Sequence, residues 1–189
     1  MESFEGIKIG VANRGIPAVR IGRTIREMGA TYVAFFTQED KTAPHVARAD
    51  QAFSLRENSY LNIEEYVALA RQHGIRALHP GWGFAAEDSS FPKRCREAGI
   101  TFIGPSSKAM NRLGNKVRAI QIAKDAGVPV VPGSGAAVDP AGARRVAKEL
   151  GYPVLIKSEG GGGGRGIMLV RSGEELDRHF RSATTMAET

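Results

Sequence analysis

The sequence predicts an α/β protein, an open and doubly wound sheet of parallel strands followed by a second, smaller α/β unit, and three observations carry that reading. Through the first hundred residues short apolar runs alternate with amphipathic segments, the pattern of parallel strands joined by crossover helices. Pro-Gly and Gly-Pro breaks follow the apolar runs at Pro80-Gly81 and Gly104-Pro105, as they do where a strand ends in a loop. Beyond Lys116 the pattern changes: a proline- and glycine-rich stretch at 128–133 leads to a glycine run set between two apolar segments.

Taken in order, residues 7–12 are expected as a strand and 17–28 as a helix closed by Gly29. Pro17 suits a first helical turn, where its missing N–H has no partner to lose. Residues 32–37 form the second expected strand. Asn62 is placed to cap a helix that runs to Gln72, with Glu65 three residues on completing a near capping box. A short strand at 76–79, a helix at 89–98 and a strand at 101–103 complete the first unit. In an open sheet of this kind ligands sit outside the carboxyl ends of the strands. The second unit is expected to hold helices at 116–126 and 140–150, strands at 154–157 and 167–170, and a helix from Gly173 onward. The domain boundary is expected between 114 and 115, inside a transition that spans 105–130.

Composition narrows the function classes. The single cysteine, Cys95, excludes an internal disulfide and a cysteine-based metal cluster, which fits a reducing, cytoplasmic setting. The first residues lack the charged-then-apolar pattern of a secretion signal, and no apolar run approaches the roughly 18 residues that a membrane helix needs. The reading is therefore of a soluble protein with no membrane partner. A formal charge of +6 would suit a polyanion. The basic residues are interspersed with Asp and Glu, however, and form no stripe with aromatics, so a nucleic-acid partner is not expected.

The most informative segment is VLIKSEGGGGGRGIMLV at 154–170. Five consecutive glycines, Gly160, Gly161, Gly162, Gly163 and Gly164, add nothing to a core and lose the most backbone entropy on ordering. They do let backbone N–H groups approach an anion with no Cβ in the way, so a phosphate-covering loop is expected rather than a linker. Gly161, Gly163 and Gly166 match G-x-G-x-x-G, but a dinucleotide fold needs a helix next, where 167–170 reads as a strand. A Walker loop would end in Gly-Lys-Ser or Gly-Lys-Thr, and this one ends Gly164-Arg165-Gly166. Protein kinases place their lysine after the loop, whereas Lys157 precedes it.

A lysine closing an apolar strand before a glycine hairpin resembles the ATP-grasp superfamily. The segments VANRG (11–15), AVRI (18–21), SYLN (59–62), HPGWGF (79–84), FIGP (102–105), GNKV (114–117), GVP (127–129), VPGS (131–134) and GYPV (151–154) together resemble biotin carboxylase, in that family's order and spacing, over nearly the whole chain. The resemblance implies a Rossmann-like pre-ATP-grasp domain over 1–114 and the start of an ATP-grasp domain with its glycine lid over 115–189.

It further implies a reaction in which bicarbonate attacks the γ-phosphate of ATP, and the carboxyphosphate so formed delivers CO2 to the ureido nitrogen of biotin. Lys116, Lys157 and the lid residues Gly160 to Gly164, Arg165 and Gly166 would contact ATP. Trp82 and Gly83 would face biotin, and Arg23 and Glu27 would lie at a homodimer contact. For several of these a plainer reading stays open. Lys116 is also a helix-surface lysine, Arg165 a solvated cation, Trp82 a packing aromatic, and Arg23 with Glu27 an i, i+4 surface pair. His79 reads as a structural cap rather than a base. Trp82 and Ile16 depart from the tyrosine and glutamate usual in bacterial members and are more like the eukaryotic acetyl-CoA carboxylase version.

ATP, Mg2+ or Mn2+, and biotin are the implied cofactors. Bicarbonate, a biotin carboxyl carrier domain and a carboxyltransferase component are the implied partners. The carboxylates that hold metal would lie beyond Thr189, so the chain is expected to be a fragment, inactive alone. Two alternatives stand beside this: an ATP-grasp ligase of the carbamoyl-phosphate synthetase type, and a non-catalytic interaction module. The motifs are shared by acetyl-CoA, propionyl-CoA, pyruvate and 2-oxoglutarate carboxylases, so they do not specify the acyl substrate of the parent carboxylase.

Overall fold

The computed structural model describes residues 4–136, 138–157 and 167–187. It divides into two compact units, Met1–Asn111 and Arg112–Thr189. The first contains β1 (Lys8–Val11), α1 (Gly15–Glu27), β2 (Thr31–Phe36), α2 (Pro44–Ala47), β3 (Gln51–Ser54), α3 (Ile63–His73), β4 (Ala77–His79), α4 (Phe91–Glu97) and β5 (Thr101–Phe102). The five strands form one parallel sheet in the order β3-β2-β1-β4-β5. The chain thus works outward from β1 through β2 to β3, then crosses back to lay β4 on the other side of β1. That reversal creates a crevice between β1 and β4 at their carboxyl ends.

Alternation along the central strands builds two cores. Ile9 and Val11 of β1, Tyr32 and Ala34 of β2 and Ala77 of β4 face Ala18 and Ile25 of α1. Val33, Phe35 and Leu78 face Tyr66, Val67 and Ala70 of α3 and Phe91 and Cys95 of α4. A sheet covered on both faces reads in sequence as continuous apolar runs, which is how β1 and β2 were legible. Tyr66 sits edge-on to Phe35 and stacks on Phe91, with centroids 5.0 and 5.9 Å apart.

Several expected boundaries move. α1 begins at Gly15 rather than Pro17, which leaves Pro17 still inside the first turn. α4 begins at Phe91 rather than Ser89, because Asp88 first accepts from the Ser90 amide and hydroxyl in a tight turn. Asn62 does cap α3, accepting from the Glu65 amide at 3.2 Å. The Glu65 carboxylate does not return to Asn62; it takes the amides of Arg56 and Glu57 instead, so the box is only half formed. β3 and α2 were not expected, since QAFS and PHVA are too short and mixed to show a period.

The division between the units falls within α5 (Ser107–Leu113). The second unit holds α6 (Lys116–Asp125), α7 (Pro140–Leu150), β6 (Val154–Lys157), β7 (Ile167–Val170) and α8 (Gly173–Ala187). Asn115 caps α6 and Asp139 caps α7, each accepting the amide three residues on. β6 and β7 pair antiparallel, with Leu155 opposite Leu169 and Lys157 opposite Ile167. Ala147, Val170 and Leu176 form the buried core of this unit.

Candidate active site

At the carboxyl end of the sheet three loops come together. Beyond β1, Asn13 is 1% exposed and its side-chain nitrogen donates to the carbonyls of Pro80 (2.7 Å) and Trp82 (2.9 Å), while its oxygen accepts from the Arg14 amide (2.9 Å). Beyond β2, Asp40 is buried and takes both Nε and Nη2 of Arg14 at 2.6 Å, a bidentate fork that fits carboxylate geometry. Tyr60 donates to the same carboxylate at 2.7 Å and its ring lies 5.7 Å from that of Phe84. The Arg14 fork holds Asp40 below the usual carboxylate range, and burial with the Asp40 contact pushes the Tyr60 phenol up to about 12.

Beyond β4 runs the 79–84 loop. Its backbone is left-handed at Gly81 (φ 68°), Gly83 (φ 67°) and Phe84 (φ 49°), the last a conformation that costs a non-glycine residue roughly 1–2 kcal/mol. His79 accepts the Gly81 amide on Nδ1 at 3.0 Å, and burial lowers its pKa. A neutral ring that closes a turn matches the cap reading. Trp82 stands 61% exposed, so it is not a core aromatic.

In the second unit Lys157 is exposed at the end of β6, and by strand alternation it shares a face with Leu155. Across the pair Ile167 and Leu169 stand on that same face and are exposed too. The result is an open apolar strip with an ammonium at one end, a side-chain set that suits a planar base and its phosphates. Neither Leu155, Ile167 nor Leu169 was singled out from the sequence, because apolar four-residue runs show no polar alternation to mark a face. Lys116 occupies the first turn of α6, which carries no acidic residue. The N-terminus of a helix favours anions, so this position suits a phosphate group. The residues from Gly160 to Gly166, Arg165 among them, lie outside the described residues.

Arg23 and Glu27 pair at 3.7 Å on the exposed face of α1, beside a groove of about 610 Å³ that Ile16, Val19, Arg20 and Arg48 also line. Among the described residues no group of three or more His, Cys, Asp and Glu is placed to hold a metal ion, and no helix is long and apolar enough to cross a membrane. Cys95 is buried, its thiol pushed up to about 12 by burial, so it is no nucleophile.

A parallel sheet with a crevice at its switch point, followed in the chain by a lysine-bearing antiparallel strand pair, defines an α/β protein of the doubly wound class. The model of the biotin carboxylase N-terminal domain matches residues 6–110, and that of the carbamoyl-phosphate synthase L chain ATP-binding domain matches 115–189. The chain belongs to the biotin carboxylase family. It is 48% identical over 180 residues to the 2-oxoglutarate carboxylase small subunit of Hydrogenobacter thermophilus, covering 93% of this chain and 38% of that one. Biotin carboxylase 1 of Bacillus subtilis is 45% identical over 174 residues, 89% of this chain and 39% of the relative. The biotin carboxylase domain dimer of the H. thermophilus 2-oxoglutarate carboxylase, solved with MgADP, ADP and bicarbonate, superposes with a TM-score of 0.88 at 46% identity, covering 95% of this chain and 41% of that one. Biotin carboxylase of Campylobacter jejuni gives 0.87 at 40% identity, with 95% and 42% covered. The chain therefore spans about two fifths of the length of these relatives.

Proposed function

We propose that this chain supplies the N-terminal domain, over 1–114, and the opening of the ATP-binding half, over 115–189, of a cytoplasmic biotin carboxylase. The observation that carries the proposal is the exposed strip of Leu155, Ile167 and Leu169 ending in Lys157, next to the glycine run. Apolar side chains would cover the adenine ring, and the ammonium of Lys157, with that of Lys116, would neutralise phosphate oxygens. The glycines from Gly160 to Gly166, with Arg165, would close over the nucleotide. Closure removes water, which strengthens each ammonium–phosphate attraction and protects an intermediate as labile as carboxyphosphate. Mg2+ or Mn2+, when bound, would neutralise charge on the phosphates, and its carboxylate ligands are assigned to the region by which the relatives extend beyond this chain.

In this reading the 79–84 loop presents Trp82 and Gly83 to biotin, the acceptor of the carboxyl group derived from bicarbonate. Arg23 and Glu27 would serve a homodimer contact. A biotin carboxyl carrier domain and a carboxyltransferase would complete the cycle. The chain by itself should turn over no biotin.

The test is calorimetric titration of Mg·ATP into this chain and into the same chain joined to the segment by which its relatives are longer. Binding by the longer protein alone, reduced at least tenfold by Lys157→Ala, is the expected outcome. Tight binding by the short chain, or indifference to Lys157→Ala, overturns it.

A further inference from the structure

The carboxyl end of β1 carries a side chain that nucleotide chemistry leaves unexplained. Asn13 is buried to 1% exposure, yet every hydrogen-bonding group of its amide is used. Its two N–H groups go to successive landmarks of one loop, the carbonyls of Pro80 and Trp82, at 2.7 and 2.9 Å. Its oxygen is held by the Arg14 amide at 2.9 Å, and Arg14 is in turn forked onto Asp40 at 2.6 Å. The amide therefore has one orientation, fixed from the β1 side, and it spans the switch-point crevice from β1 to β4.

The loop it grips holds itself by few bonds, the Gly81 amide to His79 Nδ1 and the Ala86 amide to the Gly83 carbonyl. Gly81, Gly83 and Phe84 are all left-handed, and Pro80 has no N–H to offer. Gly81 passes so close that a Cβ there would stand 2.6 Å from Asn13 Nδ2. Amide and loop thus fit only when position 81 is glycine and position 13 is a short side chain with two donors. An aspartate would set a carboxylate against two carbonyl oxygens, and an alanine would leave the buried Pro80 carbonyl and the half-buried Trp82 carbonyl without that donor.

We infer that Asn13 is the positioning residue of the 79–84 loop, the group that determines where Trp82 and Gly83 stand. Its relevance to biotin rests on the carboxylase reading; the clamp itself does not. Trp82 is the only tryptophan in the chain, so its fluorescence reports the loop directly.

Hydrogen exchange and Trp82 anisotropy, measured without any substrate on the parent, Asn13→Ala and Asn13→Asp, test the inference. In both variants exchange at the Gly81 and Ala86 amides should rise about tenfold or more and anisotropy should fall, with β1 and β2 amides unchanged. Loop exchange and anisotropy within twofold of the parent would show that the loop holds itself and end the proposal. Equal acceleration in β1 and β2 would end it too, as Asn13 would then be a general stabiliser. Asn13→Asp keeps an oxygen for the Arg14 amide, so it decides the matter if the alanine variant does not fold. A protein that shows the exchange effect but whose extended form carboxylates no biotin would sink the carboxylase reading and leave the clamp standing.

Discussion

Gly22 lies in the middle of α1, where helix propensity alone favours alanine by about 1 kcal/mol. Packing reverses the sign. A Cβ at position 22 would stand 2.4 Å from Cε1 of the Tyr32 ring, and that ring is fixed on the other side by its hydroxyl bond to the His45 carbonyl. Gly22→Ala should therefore destabilise the first unit by about 1–3 kcal/mol, read as a lower urea midpoint at unchanged slope. Asp40→Asn should remove about 1–3 kcal/mol as well, because Arg14 and Tyr60 lose the charge they share. The acid side of the stability curve carries the same signature. The folded pKa of Asp40 lies below its ordinary 3.8, so its contribution is present above that pH and is lost as pH falls through the lower value; Asp40→Asn should flatten that limb. His45 acts earlier. It is buried and its pKa is depressed below 6.5 by desolvation, so the unfolded chain takes the proton first and stability declines as pH drops under 6.5. Asn13 and Arg14 were visible in the sequence only as part of a motif. What each does depends on Pro80, Trp82 and Asp40, residues 26 or more positions away.

At the scale of elements, the β6–β7 pair turns one face toward the core and the other outward. Val154, Ile156 and Val170 pack toward Ala147 and Leu176, while Leu155, Ile167 and Leu169 face outward. Leu155→Ser should change the unfolding free energy by no more than about 0.5 kcal/mol, as an exposed substitution does, yet weaken Mg·ATP binding severalfold in the longer protein. An equal loss of stability and binding would assign Leu155 to the fold instead. Both strands were legible because each is apolar and bounded by polar or glycine residues. Which face each residue takes was not, since four-residue runs without polar alternation carry no face information. α7 matched its expected span because three signals agree there: Asp139 as cap, Pro140 at the first position and Gly151 at the end. α4 was expected too long because Ser89 and Ser90 resemble caps, while Asp88 engages Ser90 in a turn.

For the molecule as a whole, the distribution of buried residues argues that the first unit can stand alone. Both large cores lie within Met1–Asn111, one on each face of the five-stranded sheet. Residues 1–111 produced separately should give a single cooperative thermal transition, checked by circular dichroism and by native-like exchange of the β1 and β2 amides. The second unit buries only Ala147, Val170 and Leu176 among its described hydrophobic residues, so 112–189 alone should unfold broadly. Sequence by itself determined the α/β class, the alternation of strand and helix, the glycine run after Lys157 and the family to which these motifs belong. The class and the alternation follow from local propensity, periodicity and turn chemistry, which act over a few residues, and the family follows from the resemblance of the motifs. The strand order, the crevice between β1 and β4, the Asn13 grip on the 79–84 loop and the outward strip on β6–β7 were decided only by tertiary structure. They depend on which distant segments the buried apolar faces bring together, and pairwise contacts across tens of residues leave no periodic trace in one chain.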